Sequence, residues 1–367
     1  MRSLKRFMYP KNFSLRSSSS GNDIHDDSTE VKKSTTRQNQ FREFITSFPE
    51  KDGMVYLSDE RFFQHNEDDY DTQYDNSKQS DDLGIGVIKL LRASGCTFGK
   101  PAIEVGCGTG IVSRGLLSRK RFKLVVVSDP SPKFVSISKR KLSDLPDLDH
   151  RACFAIFRAE DLNKVPSESL SAIVMRSVLH HILDIEKFLT DAVNSLTSGG
   201  CLVVEEPCME GYVMMGAIAQ FIPVVMKSLS QDLDEEQSRQ VQLFVDTMKF
   251  YSDQTLDKST CEDKHVFRVD ELMKQAETLG MTLSFYPNLS FASFKSVKTA
   301  EELDALRKTP SSFSQFFISY VKYCMQFSNE LVDKLQAHFV PYLSMLDELS
   351  AKGNSPYTTG VFVFKKR

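Results

Sequence analysis

The chain has 367 residues, of which 41% are hydrophobic and 26% are charged, and its formal net charge is −3. This is the balance of an ordinary globular protein, without the basic field that would attract nucleic acid. The seven cysteines are spread singly from Cys96 to Cys324 with no CxxC pair, which argues against a disulfide framework or a zinc site and indicates a reducing compartment.

The first 40 residues differ in composition from the rest. Residues 1–22 contain five basic residues, a serine run and no acidic residue. That composition is typical of a mitochondrial transit peptide. It is equally typical of a disordered basic tail, because Pro10 would interrupt an early helix. We expect residues 1–40 to be disordered and the protein to be cytoplasmic or, in the first interpretation, to lie in the mitochondrial matrix.

From residue 41 the chain is globular in character, and apolar spacing over 83–91 predicts an amphipathic helix. Beyond residue 99, apolar runs alternate with helical patterns. The runs predict strands at 101–105, 123–128, 153–157, 171–175 and 201–206, and the helical patterns lie at 110–119, 131–142 and 184–196. This alternation predicts an α/β fold, with a doubly wound, mostly parallel sheet that carries helices on both faces.

After residue 206 the alternation is interrupted by two helical stretches, 209–251 and 299–350, with a helix and a strand between them at 269–287. A last apolar run predicts a final strand at the edge of a seven-stranded sheet. We therefore divide residues 41–367 into four parts: a core at about 83–206, a helical lid at 207–262, a helical insertion at 289–356 and the final edge strand at 358–366.

The strongest local signal is the glycine-rich sequence IEVGCGTGIV at 103–112. Glu104 ends a predicted strand, Gly106 and Gly108 allow a tight turn, and Gly110 opens the next predicted helix. Glycine has no Cβ, so the backbone can turn sharply and approach a ligand closely.

The spacing of these glycines does not match a dinucleotide site. The GxGxxG fingerprint would place its third glycine at Ile111. That fingerprint sets a pyrophosphate over a helix N-terminus, whereas a ligand without phosphate needs no such anion cradle. An acidic residue before the glycines, here Glu104, suits a cationic amine. A nicotinamide dehydrogenase is accordingly disfavoured.

At these residues the chain resembles the class I, Rossmann-like S-adenosylmethionine-dependent methyltransferases, and more closely their small-molecule branch. The resemblance covers roughly 99–206 and, more weakly, 262–288. It implies S-adenosylmethionine as the cofactor, with its methionine end held by the glycine loop, which contributes Glu104, Gly106, Cys107, Gly108 and Gly110.

The resemblance also implies an acidic residue after the second core strand that accepts hydrogen bonds from the ribose hydroxyls. Asp129 stands there, followed by Pro130. The other interpretation is that Asp129 or Ser131 caps the next helix.

After the third strand of the core the sequence departs from the family pattern. The usual DAEDL begins here with Arg158, so Glu160 or Asp161 is expected to take over the contact with adenine. The aspartate that commonly precedes the fourth strand is replaced by Ser171. These two departures motivate the alternative that the protein is a catalytically inactive methyltransferase-fold module that binds the cofactor and acts in interaction or regulation.

The sequence MRSVLHHIL at 175–183 resembles the stretch that follows the fourth strand in the family, near the methyl group. It places Arg176 at the cofactor and offers His181 as a candidate base, although both histidines could equally be structural. The stretch lacks the NPPY-like tetrad of nucleic-acid amino-methyltransferases, which argues against nucleic acid as a partner.

The sequence thus predicts methyl transfer to a small molecule. Methionines and aromatic residues in the lid stretch, such as Met209, Tyr212 and Met226, would either line an apolar pocket or pack in a core. The first interpretation favours an apolar or lipid-like acceptor. We expect no metal and no transmembrane segment, while peripheral membrane contact through 209–229 stays open. The oligomeric state is left open.

Overall fold

The structure is a computed structural model that describes residues 41–61, 67–74, 80–308, 312–351 and 356–367. Residues 1–40, for which the sequence predicts a disordered tail or a targeting peptide, lie outside the described residues.

A single sheet organises the described part of the chain. It contains nine strands in the order β1-β2-β5-β4-β3-β6-β7-β9-β8. The strands from β2 to β7 run parallel in this sheet, and β1, β8 and β9 pair antiparallel to their neighbours. Their bounds are β1 Glu50–Lys51, β2 Met54–Tyr56, β3 Ala102–Val105, β4 Val125–Asp129, β5 Ala152–Ile156, β6 Leu170–Arg176, β7 Leu196–Pro207, β8 Met281–Pro287 and β9 Thr359–Lys366.

The sheet confirms the predicted mostly parallel α/β fold and corrects two details. The described residues form nine strands instead of seven, because the short β1 and β2 extend the edge beside β5. The final strand is also not an edge strand, since β9 pairs with β7 on one side and with β8 on the other. Its central residues 361–364 are buried on both faces, which explains why this run is continuously apolar. The edge is β8.

The helices follow the predicted positions closely. They are α1 (41–46), α2 Glu67–Tyr74, α3 Ser80–Ala93, α4 Ser113–Ser118, α5 Pro132–Leu142, α6 Leu148–Arg151, α7 Ile185–Ser195, α8 Met209–Ser228, α9 Glu235–Ser252, α10 Val269–Thr278, α11 Ala300–Arg307, α12 Phe313–Ser319, α13 Asn329–Lys334 and α14 Val340–Ala351. Short 3₁₀ turns occupy Ala159–Lys164, Leu179–His181 and Phe291–Phe294, and π-helical turns occupy Tyr320–Cys324 and Leu335–Phe339.

Two apolar cores lie on opposite faces of the sheet. Successive residues of a strand point to opposite faces, so Val126 packs in one core and its neighbours Val125 and Val127 pack in the other. The first core includes Phe188 from α7, and the second includes Leu90 from α3. Helices therefore cover both faces, as predicted.

A third apolar cluster forms a helical cap outside the sheet. It joins residues of α8, α9, α12 and α14 and the two π-helical turns, including Met215, Phe244, Tyr320 and Leu335. The predicted lid and most of the predicted insertion thus pack on each other as one body. The beginning of the insertion behaves differently, because Phe291 and Leu303 pack in the sheet core.

Among the described residues, α8 is the one helix long and apolar enough to cross a membrane by length and composition. Its apolar stretch is 44% buried inside the protein, with Met215 and Ile222 fully enclosed by the cap. That burial favours a core helix of the cap.

Candidate active site

A cavity of about 310 Å³ opens at the carboxyl ends of β3, β4, β5 and β6. Ligands bind at this end of the strands in open α/β sheets, and the volume lies at the lower limit for small-molecule sites. The wall is formed by Arg61, Val105, Gly106, Gly108, Asp129, Pro130, Ser131, Phe134, Arg158, Ala159, Glu160, Arg176, Ser177, Val178, His181, Ile182, Ser259, Thr260, Cys261, Glu262 and Lys264.

The glycine loop after β3 forms one wall of this cavity. Gly106 has a φ of +72° and Gly108 a φ of +51°, values that L side chains rarely adopt. A Cβ on Gly106 would lie 2.3 Å from Val178 Cγ2, so a side chain there would also collide with the opposite wall. Cys107 and Gly110 belong to the same loop but do not line the cavity. Burial raises the pKa of the Cys107 thiol, which keeps it protonated.

Asp129 stands at the end of β4 with its carboxylate on the cavity wall. Oδ2 accepts a hydrogen bond from the Gly108 amide at 3.0 Å, and Oδ1 accepts one from the Ser131 amide at 2.9 Å. The cap of α5 is Ser131, whose hydroxyl accepts from the Phe134 amide. Ser131 is therefore the residue that caps α5. Asp129 lies on the cavity wall and accepts a hydrogen bond from the glycine loop. Pro130 lies beside it on the wall.

Glu104 lies elsewhere than the sequence suggested. Its side chain is buried and does not line the cavity, and Ser113 at the start of α4 donates a hydrogen bond to Oε2 at 2.5 Å. Burial raises the pKa of Glu104 to about 8, and the charge of Asp129 acts in the same direction. The contact of Glu104 with the cofactor amine stays a prediction. In the structure Glu104 joins the end of β3 to α4.

The residues after β5 are divided between the cavity and the surface. Glu160 lines the cavity, whereas Asp161 is turned away and pairs with Lys164 at 3.2 Å. Arg158, which replaces the family's usual carboxylate, also lines the cavity, with Nε 3.8 Å from Glu160 Oε2. Of the two carboxylates proposed for adenine, the structure brings Glu160 to the site. Ser171 lies far from it, where its hydroxyl accepts from the Lys100 amide.

Arg176, at the end of β6, is held at the cavity by a buried partner. Its Nε donates to Glu205 Oε1 at 3.2 Å, and Glu205 Oε2 accepts from the Phe291 amide at 2.7 Å. Burial raises the pKa of Glu205, while the neighbouring guanidinium opposes that shift.

The two histidines after β6 have different surroundings. His181 lines the cavity, whereas His180 is fully buried with its Nδ1 2.6 Å from Glu206 Oε2. Glu206 Oε1 also accepts from the amides of Val178 and Leu179, at 2.9 and 2.7 Å, and so fixes this turn to β7. Asp263 lies 3.4 Å from His180 Nε2 and 3.2 Å from His181 Nδ1.

Sequence reasoning missed several residues of the site. Glu206 could have been suspected from the acidic pair that ends an otherwise apolar strand, a costly place for a carboxylate. Asp263 lies in the α9–α10 connection, where no sequence motif indicates a functional residue. Arg61 and Lys264 also line the cavity, and the pKa of Lys264 is lowered by its burial and by the charge of Arg61.

The methionines and aromatic residues of α8 do not contribute to the cavity. Every wall residue of the cap region comes from the α9–α10 connection, residues 253–268. Tyr212 is packed edge-on against Tyr251 and Tyr320 inside the cap. The core-packing interpretation is correct for Met209, Tyr212, Met215 and Met226, which are buried in the cap, whereas Phe221 is exposed.

Fold and site together define a class of protein. An open α/β sheet carries a glycine loop without the dinucleotide's third glycine, and a carboxylate at the end of the next strand closes the same cavity. This is the Rossmann-like methyltransferase arrangement, with S-adenosylmethionine as the cofactor. Residues 103–202 match the family model of a methyltransferase domain. The resemblance to the class I methyltransferases is thereby confirmed.

Three known proteins are similar to this chain. The ubiquinone biosynthesis O-methyltransferase of Rhizobium rhizogenes is 31% identical over 108 residues, which cover 29% of this chain and 40% of that protein. The human mitochondrial ubiquinone biosynthesis O-methyltransferase is 27% identical over 107 residues, covering 29% and 28%. A Haemonchus contortus phosphoethanolamine N-methyltransferase, solved with S-adenosylhomocysteine, is 13% identical and covers 77% of this chain and 52% of its own, with a TM-score of 0.41. The chain spans less than half the length of the two ubiquinone biosynthesis O-methyltransferases.

Proposed function

We propose that this protein is an active S-adenosylmethionine-dependent methyltransferase whose acceptor is a small, polar molecule. The observation that carries the proposal is the cavity in which the glycine loop, Asp129 and Glu160 meet. The relatives that share the methyltransferase domain are named as O-methyltransferases, which agrees with a small-molecule acceptor.

The residues of the cavity fit the cofactor. Gly106 and Gly108 bring the backbone of the loop to the cavity wall in left-handed conformations, and Asp129 offers a fixed carboxylate that suits two ribose hydroxyls. Glu160 is the carboxylate available to an adenine amino group, and Arg176 supplies a cation for the carboxylate of the methionine end. Bound S-adenosylmethionine supplies a methyl carbon activated by a sulfonium, so that its bond to the acceptor forms as its bond to sulfur breaks and the electron pair stays on sulfur.

The polar nature of the acceptor rests on the rest of the wall. Beyond the glycine loop the wall combines apolar side chains, such as Phe134, Val178 and Ile182, with the charged groups of Arg61, Glu262 and Lys264 and the imidazole of His181. These polar groups suit a polar end of the acceptor, and no residue of α8 adds apolar wall. The chain's contribution to rate is then to hold donor and acceptor in reactive geometry and to exclude water.

Calorimetric titration of the full chain with S-adenosylmethionine and S-adenosylhomocysteine tests the proposal. We expect micromolar binding, about −8 kcal/mol, for both ligands. Asp129→Ala should abolish it, and Asp129→Asn, which keeps the size and one acceptor oxygen, should weaken it. Asp149→Ala, at an exposed site on α6, is the matched control and should bind normally.

Failure of the folded wild-type protein to bind either ligand would contradict the proposal. Normal binding without methyl transfer to any small molecule of a broad extract would instead support the inactive module as the function.

A further inference from the structure

Three buried side chains and one half-buried side chain lie in contact with one another and lead to the cavity. Glu206 Oε2 lies 2.6 Å from His180 Nδ1, His180 Nε2 lies 3.4 Å from Asp263 Oδ1, and the same oxygen lies 3.2 Å from His181 Nδ1. The side chains of Glu206, His180 and Asp263 are 0%, 1% and 5% exposed, whereas His181 is 19% exposed and lines the cavity. We call these four residues the relay.

The inner histidine of the relay carries a charge. Burial by itself lowers the pKa of His180, but the carboxylates of Glu206 and Asp263 outweigh it and raise the pKa to about 9. Nδ1 of His180 lies at hydrogen-bond distance from Glu206, whereas Nε2 and Asp263 Oδ1 form an ion-pair contact at 3.4 Å without hydrogen-bond geometry.

Asp263 is held ionised by its surroundings. Burial alone would raise the pKa of this carboxyl, but its contacts with His180 and His181 hold the pKa well below the usual range. Oδ2 accepts a further hydrogen bond from the Tyr251 hydroxyl of α9 at 3.2 Å. The other titratable groups beside the relay are His265, whose pKa is lowered by burial, and Lys264.

The contacts of His181 determine which of its nitrogens carries the proton. Nδ1 lies 3.0 Å from the Glu262 carbonyl oxygen and 3.2 Å from Asp263 Oδ1, and both of these atoms can only accept. Nδ1 must therefore carry a hydrogen. In the neutral ring this leaves Nε2 as the nitrogen that accepts a proton. The backbone keeps the arrangement in register, because the Lys264 amide donates to the His180 carbonyl at 2.9 Å.

We propose that His181 takes the proton of an acceptor hydroxyl in the reaction, and that Asp263, which contacts both histidines, is its positioning residue. This inference rests on the proposed function and names its substrate class. As the acceptor oxygen forms its bond to the methyl carbon, its proton moves to Nε2 of His181, and Asp263 stabilises the imidazolium that results. A thioether or a tertiary amine would have no proton to give, and the relay would serve no purpose for it.

Long-range ¹H–¹⁵N spectra of the full chain, labelled with ring-¹⁵N histidine, test the relay without any acceptor. Variants His180→Gln and His181→Gln assign the two signals. At pH 7.5 we expect His180 to show two protonated nitrogens, and His181 to show a protonated Nδ1 and an unprotonated Nε2. In Asp263→Asn, we expect His180 to lose the doubly protonated state and His181 to become a mixture of both tautomers.

Two further variants separate the relay from a general effect on folding. Asp257→Asn changes an exposed aspartate of the same α9–α10 connection, bonded to Ser259, and should leave both signals unchanged. Tyr251→Phe removes one hydrogen bond to Asp263 but keeps the Asp263 charge, so the protonation states of His180 and His181 should be those of the wild type. This variant tests the charge separately if Asp263→Asn does not fold. Circular dichroism spectra report on the fold of each variant.

Several results would overturn the relay. A neutral His180 in the wild-type protein, an Nε2-protonated His181, or spectra of folded Asp263→Asn identical to wild type would each do so. His180, His181 and Asp263 also offer ligand atoms within 4.8 Å of one another, so zinc is added in a parallel titration. Stoichiometric zinc binding that displaces the ring protons would replace the relay with a metal site.

The substrate class is tested by the product. With labelled S-adenosylmethionine and a small-molecule extract, a methyl ether supports the inference, whereas a methyl ester contradicts it because a carboxylate has no proton to give. A quaternary ammonium or sulfonium product overturns it. Loss of cofactor binding in the calorimetric experiment would contradict the proposed function while leaving the histidine spectra intact.

Discussion

Glu104 illustrates at the residue scale how burial changes what a carboxylate does. Its position before the glycines suggested a charged partner for the cofactor amine, but the side chain is enclosed between β3 and α4. Removing a carboxylate from water disfavours its charged form, and the nearby Asp129 adds to that effect. Asp129, by contrast, presents its carboxylate at the cavity wall, where two backbone amides donate hydrogen bonds to it.

Glu104→Gln should make the protein less sensitive to rising pH. The pKa of Glu104 in the folded protein, about 8, is above its ordinary value of 4.5. Between those values the folded protein holds a proton that the unfolded chain has lost, so stability falls as pH rises. Glutamine loses no proton. We expect the free energy of unfolding of the variant, relative to wild type, to rise by up to about 1.4 kcal/mol per pH unit in this window.

Urea unfolding at several pH values between 5 and 8 measures this difference. Glu277→Gln, at an exposed position on α10, is the control and should show no such trend. A pH-independent difference between Glu104→Gln and wild type would show that Glu104 is charged in the folded protein.

At the scale of elements, the glycine loop depends on how closely α3 and α4 approach each other. Gly84 on α3 faces Gly115 on α4, and a Cβ on Gly115 would lie 2.4 Å from the Asp81 carbonyl oxygen and 2.7 Å from Gly84 Cα. Both are backbone atoms, which cannot move aside as a side-chain tip would. Because α4 follows the loop directly, this contact sets the position from which the loop enters the cavity wall.

Gly115→Ala should therefore disturb both stability and cofactor binding. Forcing the helices apart should cost about 1–3 kcal/mol of unfolding free energy, and the shift of α4 should weaken S-adenosylhomocysteine binding. Thermal unfolding and calorimetric titration of the variant provide both values. Gly280→Ala is the matched control, since Gly280 has a φ of +70° and no neighbour within 4 Å of an added Cβ. It should lose about 1 kcal/mol and bind normally, and equal affinities in the two variants would refute the coupling.

At the scale of the whole molecule, the helical cap is a body with its own core. Its apolar cluster is separate from the two clusters that flank the sheet. The cap reaches the cavity through the α9–α10 connection, where Asp263 contacts both histidines. A lid made of α8 would have placed its apolar side chains over the ligand, which is not the arrangement in the described residues.

Hydrogen exchange with and without S-adenosylhomocysteine should reveal this division. We expect slower exchange in peptides covering 105–110, 129–131 and 158–160, because these segments form the wall around the ligand. Peptides within 213–228 of α8 should exchange at the same rate in both states. Strong protection of α8 on ligand binding would mean that this helix closes over the site.

Much of the fold could be read from the sequence because its signals are local. Buried parallel strands are continuous apolar runs, so the predicted runs at 101–105 and 171–175 correspond to β3 and β6. The glycine loop and Asp129 are equally local, since each follows directly from a strand end. That is why the methyltransferase class was recognisable before any contact was known.

Tertiary structure alone decided what depends on distant partners. The place of β9 inside the sheet depends on pairing with β7 and β8, and although its continuous apolar run is typical of a strand buried on both faces, the run does not name these partners. The protonated state of Glu104 depends on burial, which sequence does not measure. Asp263 meets His181 across 82 positions of chain, because α8 and α9 fold back and return the chain to the cavity. The sequence by itself determined the cofactor fold and its glycine loop through local patterns, and only long-range packing decided the charges and proton positions around the acceptor.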